Sequence, residues 1–344
     1  MTASVGIAFT PFEDRVPVIE RAAVLAEERG LDSVGVAEAM TLAAPIVLAR
    51  LAERTGQIRL ATGALSVWGR TPATLALTAA ELQRASGGRF VLGLGSSTAP
   101  MTEGFHGQSW QAPLRKLRDT VVAVRALLSG DRLPQAPDGA RPLRLGCPPT
   151  VPVPIALAAI TAPSIRLAGE LADQWLPFLL PPAALEAGRE LMADASAGAY
   201  RADAATVTAS IPLALAPDHD GAARIAARWL ITYATRMGPV YPEMLRRHGY
   251  HRELDAILEA NPGPNHARLP AAAERLAQDV LLYGTYDEAP QLWRAWQSHA
   301  DALALVLPFG VPAGQITDII EAVSCPVTDR SLTTSASDTP ALCS

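Results

Sequence analysis

"GGRFVLGLGSSTAPMTEGFHG", residues 87–107, decides how this chain folds. Its RFVLGLG portion reads as one short strand, apolar without polar alternation, as a strand covered on both faces should be. The strand closes on glycine and turns into Ser96, Ser97 and Thr98. Glycine at such a corner lets a backbone come close to a neighbour or a ligand. Immediately upstream, "TPATLALTAAELQRASGG" (71–88) opens on Thr-Pro and ends on glycine, the two ends of a helix. A helix feeding a buried strand is the repeating unit of a parallel sheet.

The same unit recurs along the chain. Strands are expected at 5–10, 31–39, 58–67, 89–95, 153–159, 173–180, 205–216 and 300–310, with helices at 15–30, 43–56, 71–88 and 113–130. Right-handed crossovers between eight parallel strands give a closed (β/α)8 TIM barrel. Residues 218–296 are too long for one crossover and read as a helical insertion before the last strand, partly covering the barrel mouth. The whole is expected to be one domain, 1–327, without internal repeats. The Ser/Thr-rich segment 328–344 is expected to be a disordered tail.

Composition narrows the function. Of 344 residues, 49% are hydrophobic but only 5% aromatic, so the core must be aliphatic packing. Net charge is −5, with both signs interspersed, and no basic face suggests nucleic acid. Cys147, Cys325 and Cys343 are too far apart for a CxxC metal site. No apolar run reaches membrane-spanning length. A cytoplasmic protein acting on a small organic molecule, with no metal, nucleic-acid or membrane partner, is expected. GxSxG, HExxH and phosphate-loop signatures are absent from the sequence.

Barrel chemistry sits at the C-terminal strand ends. Glu38 ends the second strand, where it is either a catalytic carboxylate or the partner of Arg70, since a buried carboxylate needs one. Glu103 and His106 follow the fourth strand as a polar pair. An imidazole is the natural acid–base group there, because histidine ordinarily titrates near neutrality. Alternatively the pair only fixes the rim. Trp68 and Trp175 are candidate walls of a ring pocket, with ordinary packing the competing role. Tyr233, Met237 and Tyr241 in the insertion, with Phe309 after the last strand, are candidate substrate contacts; helical spacing equally suits core packing.

Taken together, "SGGRFVLGLGSSTAPMTEGFHG", "DSVGVAEA", "LAGELADQW" and "LPFGVPAGQITDIIEAV" resemble the luciferase-like monooxygenase superfamily. Within it, the similarity is to coenzyme F-420-dependent oxidoreductases of the methylenetetrahydromethanopterin reductase type. The resemblance implies a bacterial-luciferase-like barrel, hydride transfer at a deazaflavin ring, and a homodimer or larger assembly. It also implies a non-prolyl cis peptide, here Gly63–Ala64, and a cofactor phosphate near Ser97, Thr98, Ala159, Thr161 and Ala162. The alternative in the same class is an FMN-dependent monooxygenase.

Four positions depart from the family pattern. Ala43 replaces an acid. Thr98 replaces glycine, Thr161-Ala162 replaces Gly-Pro, and Gln174 replaces glycine in "ADQ". Added side chains can block a backbone–phosphate contact or replace it with a hydroxyl. A cofactor-free barrel catalysing a non-redox cyclisation or rearrangement in natural-product biosynthesis is therefore the third expectation.

Overall fold

The structure is a computed structural model describing residues 3–199, 204–263 and 267–324. The expected tail at 328–344 lies outside the described residues. The first half alternates regularly: β1 (Ser4–Phe9), α1 (Val16–Glu28), β2 (Ser33–Val36), α2 (Ala44–Arg54), β3 (Arg59–Thr62), β4 (Leu65–Ser66), α3 (Pro72–Ala85), β5 (Phe90–Gly95), α4 (Ala99–Gly104) and α5 (Pro113–Leu128). Next come β6 (Ile155–Ala158), α6 (Ala162–Leu171), β7 (Gln174–Leu176), α7 (Pro182–Gly198) and β8 (Thr206–Ala216). The insertion follows: α8 (His219–Thr235), α9 (Val240–Arg247), α10 (His251–Ala260), α11 (Glu274–Val280), β9 (Leu282–Thr285) and α12 (Ala289–Trp296). Finally β10 (Ala302–Leu307) and α13 (Ala313–Ser324) complete the described chain.

Parallel pairing runs β1–β2–β3–β5–β6–β7–β8–β10 and back to β1, which closes an eight-stranded barrel. Two details correct the expected elements. The strand expected at 58–67 is broken, with β4 resuming beyond Gly63 to pair with β5. The segment 218–296 is not purely helical, because β9 adds a strand beside the C-terminal half of β8.

Strand parity explains the core. In β2, Val34 and Val36 are buried against helices, while Ser33 and Gly35 face inward and stay half-buried. In β10, Leu303 and Leu305 pack outward and Ala302 and Ala304 inward. The inner layer thus includes small residues such as Gly35, Ala61, Gly95 and Ala158.

At the opposite end one device recurs three times. Asp32, Asp173 and Asp301 each precede a strand, and each carboxylate accepts an amide from the first or second residue of the neighbouring strand. The bonds are 2.8 Å from Val5 N, 2.8 Å from Ile155 N and 2.7 Å from Val207 N. Each aspartate's own N–H donates back to the carbonyl of that same residue, at 2.7, 2.8 and 2.9 Å. The bracket pins register where the ladder begins. Asp301→Ala should cost about 1 kcal/mol in a urea unfolding titration, the worth of one such hydrogen bond.

Candidate active site

The floor of the mouth is built where β3 breaks. Gly63–Ala64 is a cis peptide. Just before it, the Thr62 hydroxyl bridges to β5, accepting from Gly93 N at 2.8 Å and donating to Gly93 O at 2.9 Å. The strands approach so closely that a Cβ on Gly93 would sit 1.9 Å from Thr62 O. Gly93 is therefore a close-approach glycine within a strand. One pleat further, a Cβ on Gly95 would meet only Ala158 Cβ at 3.5 Å and Ala64 Cβ at 3.8 Å. A Cβ on Gly63 would meet nothing within 4 Å. Ala64, Gly95 and Ala158 thus form a shallow apolar floor with open space beside it.

The β5 corner is clamped by two indoles. Ser96 O accepts from Trp68 Nε1 at 2.9 Å and from Trp110 Nε1 at 3.2 Å. Ser97 follows in the left-handed region, with φ of 59°. Thr98 precedes α4, and its Oγ1 is enclosed without a hydrogen-bond partner, as is Thr102 Oγ1 one turn on. The turn between α8 and α9 reaches over this corner: a Cβ on Gly238 would lie 3.8 Å from Thr98 Cβ and from Pro100 Cδ. Met237 stands beside it, half-buried against the core.

Glu103 lies in α4 and His106 just beyond it, but no hydrogen bond or ion pair joins them. Glu103 is exposed and accepts Trp110 N at 3.2 Å. The His106 ring packs beside Gly69 and edge-on to Phe105, 5.1 Å between centroids. At the β6 corner, Thr161 N donates to Ser164 Oγ at 3.1 Å, and the two hydroxyls lie 2.8 Å apart. Ala162 is exposed at the start of α6, and Ala159 is buried with its carbonyl accepting Trp175 Nε1 at 2.8 Å.

Glu38 forms a two-pronged ion pair with Arg70, with Nη1 on Oε1 and Nη2 on Oε2 at 3.0 Å. Its Oε2 also accepts Ala44 N at 3.0 Å, the first amide of α2. Glu38 thereby supplies the helix cap that Ala43 lacks. Both oxygens are engaged, so the geometry gives Glu38 a structural task.

The far wall is aromatic. Phe12 beyond β1, Phe178 beyond β7 and Phe309 beyond β10 meet Trp229 and Tyr233 of α8 and Tyr241 of α9. Neighbouring ring centroids lie 4.8 to 6.4 Å apart, mostly tilted or edge-on, the favoured aromatic geometries. Burial pushes the Tyr241 phenol up to about 12. Tyr233 is also pushed well above the usual tyrosine range, by burial first and then by Tyr241 beside it. The fold favours the neutral phenols, whereas the unfolded chain loses these protons near pH 10. This contribution is intact below about pH 10 and is lost as pH rises towards about 12. Urea unfolding at pH 9 and pH 11 should show wild type losing more stability than Tyr241→Phe.

Of the residues expected at the site, Gly63, Ala64, Ser97, Thr98, Thr161, Ala162 and Trp68 gather at the floor and its two corners. Tyr233, Tyr241 and Phe309 form the opposite wall. Trp175 does not belong to the mouth. It is 0% exposed and packs outward against α7, where a Cβ on Gly188 would strike its ring at 2.1 Å. Parity is the reason: Gln174 and Leu176 face inward, so Trp175 faces out. The sequence reading passed over Trp110, Phe12, Phe178 and Trp229. Phe12 and Phe178 carried the same signal as Phe309, an aromatic just past a strand's C-terminal end.

Known proteins share this architecture along nearly the whole chain. A family model described as luciferase-like monooxygenase matches residues 7–300. The chain belongs to the luciferase-like monooxygenase family. Among relatives of this luciferase-like protein, the 5,10-methylenetetrahydromethanopterin reductase of Methanolobus tindarius is 30% identical over 268 residues, covering 75% of this chain and 77% of that protein. The coenzyme F-420-dependent tetrahydromethanopterin reductase of Methanopyrus kandleri superposes with a TM-score of 0.73 at 19% identity, covering 94% of this chain and 98% of that one. A type II Baeyer–Villiger monooxygenase of Pseudomonas putida in complex with FMN gives 0.71 at 18% identity, covering 94% and 96%. At these identities the two superpositions speak for the fold. No helix among the described residues is long and apolar enough to cross a membrane.

Proposed function

We propose that this luciferase-like protein is an oxidoreductase that binds coenzyme F-420, or FMN in its place, and acts on a small organic molecule. The observation that carries the reading is the floor of Ala64, Gly95 and Ala158, an apolar shelf of small side chains beside open space at Gly63. A flat tricyclic ring needs such a shelf, and larger side chains at these positions would occupy its volume. The rim suits the rest of the cofactor. Thr98 Oγ1 is a buried hydroxyl lacking a partner, and Ala162 opens a ten-residue helix whose first turn favours an anion.

When bound, the ring supplies or accepts a hydride. The chain's residues do the remaining work. The floor orients the ring, and the two indoles on Ser96 O fix the corner beside it. Glu38 holds Arg70 at the rim. The aromatic wall with Met237 keeps water from the substrate side, and His106 and Glu103 are the acid–base groups of the outer rim. A cytoplasmic homodimer or larger assembly belongs to the same reading. Exposed Ile46 on α2 and Leu77 on the adjacent α3 support it.

One observation favours a second reading. Thr161 N, the amide nearest the β6 corner, is already taken by Ser164, and proline stands at the second position of both α4 and α6. The phosphate seat therefore has few free amides, which suits a cofactor-free barrel with non-redox chemistry. Titrating the protein with coenzyme F-420 and separately with FMN, followed by the cofactor's visible spectrum, separates the two. Saturable binding of either at micromolar concentration supports the redox reading; binding of neither at high micromolar concentration overturns it.

A further inference from the structure

The aromatic wall carries two polar atoms that the fold itself does not use. Neither the Tyr233 nor the Tyr241 hydroxyl has a hydrogen-bond partner among the described residues. Neither oxygen is among the fully enclosed orphan atoms, so each keeps some exposed surface. Yet Tyr233 is only 5% exposed, and the two rings meet edge to face 4.9 Å apart. A phenol in such a wall is retained at a cost unless something completes its hydrogen bond.

The surroundings restrict what that something is. The neighbouring rings, Phe12, Phe178 and Phe309, are apolar, and the Trp229 indole N–H is already spent on Leu213 O at 2.9 Å. Several charged groups near the mouth are already engaged. Glu38 holds Arg70, Glu13 holds Arg15, and Arg228 donates to the carbonyls of Phe309 and Gly310. A charged substrate would lose its hydration among these apolar rings. Because burial favours the protonated phenols, the pair offers two donors rather than an anion.

Resting on the proposed barrel-mouth site, we propose that Tyr233 and Tyr241 seat one carbonyl-type oxygen of an uncharged, planar apolar substrate, whose body stacks among Phe12, Phe178 and Phe309. Two donors from rings in edge-to-face contact can converge on the two lone pairs of a carbonyl oxygen. The wall thereby selects aryl ketones and quinone-like compounds over carboxylates and hydrocarbons of the same shape.

Three probes of one shape test this on the full-length protein. They are 2-acetylnaphthalene, its carbonyl-free analogue 2-ethylnaphthalene and the anion 2-naphthoate. Binding is read from tryptophan fluorescence, since Trp229 lies 5.9 Å from Tyr233. The ketone should bind about tenfold more tightly than either analogue, and the preference should fall to about twofold or less in Tyr233→Phe/Tyr241→Phe, which keeps both rings. Equal affinities in wild type, tighter naphthoate binding, an unchanged preference in the double variant, or no saturable ketone binding would each overturn the proposal. Cofactor titration of the same wild-type protein keeps the readings apart. Loss of cofactor binding with the ketone preference intact sinks only the redox reading.

Discussion

Gly93→Ala should unfold or gravely destabilise the protein, whereas Gly95→Ala, two residues away, should leave its stability nearly unchanged. At Gly93 the added methyl would lie 1.9 Å from Thr62 O, a backbone atom held from both sides. Thr62 cannot retreat, because its hydroxyl is bonded to both the N–H and the C=O of Gly93, and Leu60 and Ala61 are in register with Phe90 and Val91. Overpacking against backbone costs about 3 kcal/mol or more. At Gly95 the methyl would meet two Cβ atoms at 3.5 and 3.8 Å, ordinary contact distances. Its effect belongs to the floor of the mouth, so Gly95→Ala should weaken ring binding instead. Denaturant midpoints for the two variants, measured together, give the comparison.

Arg89→Ala should be the second large loss, at the opposite end of the barrel. Arg89 is half-buried just before β5, and its guanidinium ties the ends of three segments together. Nε donates to Ser86 O at 2.7 Å, Nη1 to Ile58 O at 2.6 Å and to Thr55 Oγ1 at 3.2 Å, and Nη2 to Thr55 O at 2.8 Å and Ala52 O at 3.3 Å. Burial lowers its pKa, and Glu27 partly opposes that shift. Removing the fork leaves several carbonyls unsatisfied and should cost about 3 kcal/mol in urea unfolding. Arg89→Lys should recover less than half of the loss, because a single ammonium cannot span acceptors spread along one planar fork.

The barrel was legible because its strands are short and largely apolar and several helices begin and end on recognisable residues, as at Thr71-Pro72 and Gly87-Gly88. β9 escaped notice because four residues, Leu282–Thr285, sit between two helices and carry no alternation long enough to read. The break in β3 is invisible to periodicity, and residues 58–67 look like one strand. The placement of the cis link at Gly63–Ala64 came from resemblance rather than from pattern. Parity could have removed Trp175 from the mouth, since its neighbours Gln174 and Leu176 are the inward pair. The aromatic wall was only half legible. Its six rings come from Phe12, Phe178, α8, α9 and Phe309, and only tertiary folding brings such distant segments into contact. The three aspartate brackets stand in the sequence as Asp before a strand, but their meaning lies in bonds to the opening residues of a neighbouring strand. The departure at Ala43 acquires a physical account in Glu38, which caps α2 from five residues earlier.

On the proposed function, the small-residue floor of the barrel mouth seats a flat redox ring. The most direct test is a paired titration of wild type and Ala158→Phe with coenzyme F-420 and with FMN, with thermal unfolding recorded for both proteins. Ala158 ends β6, is half-buried and faces the Gly95 position across the floor, so a phenyl ring there fills the shelf without entering the helix-facing core. Wild type should bind one equivalent of one cofactor, and Ala158→Phe should bind neither while retaining cooperative unfolding. Equal cofactor affinity in the two proteins, or no binding by wild type, would contradict the claim.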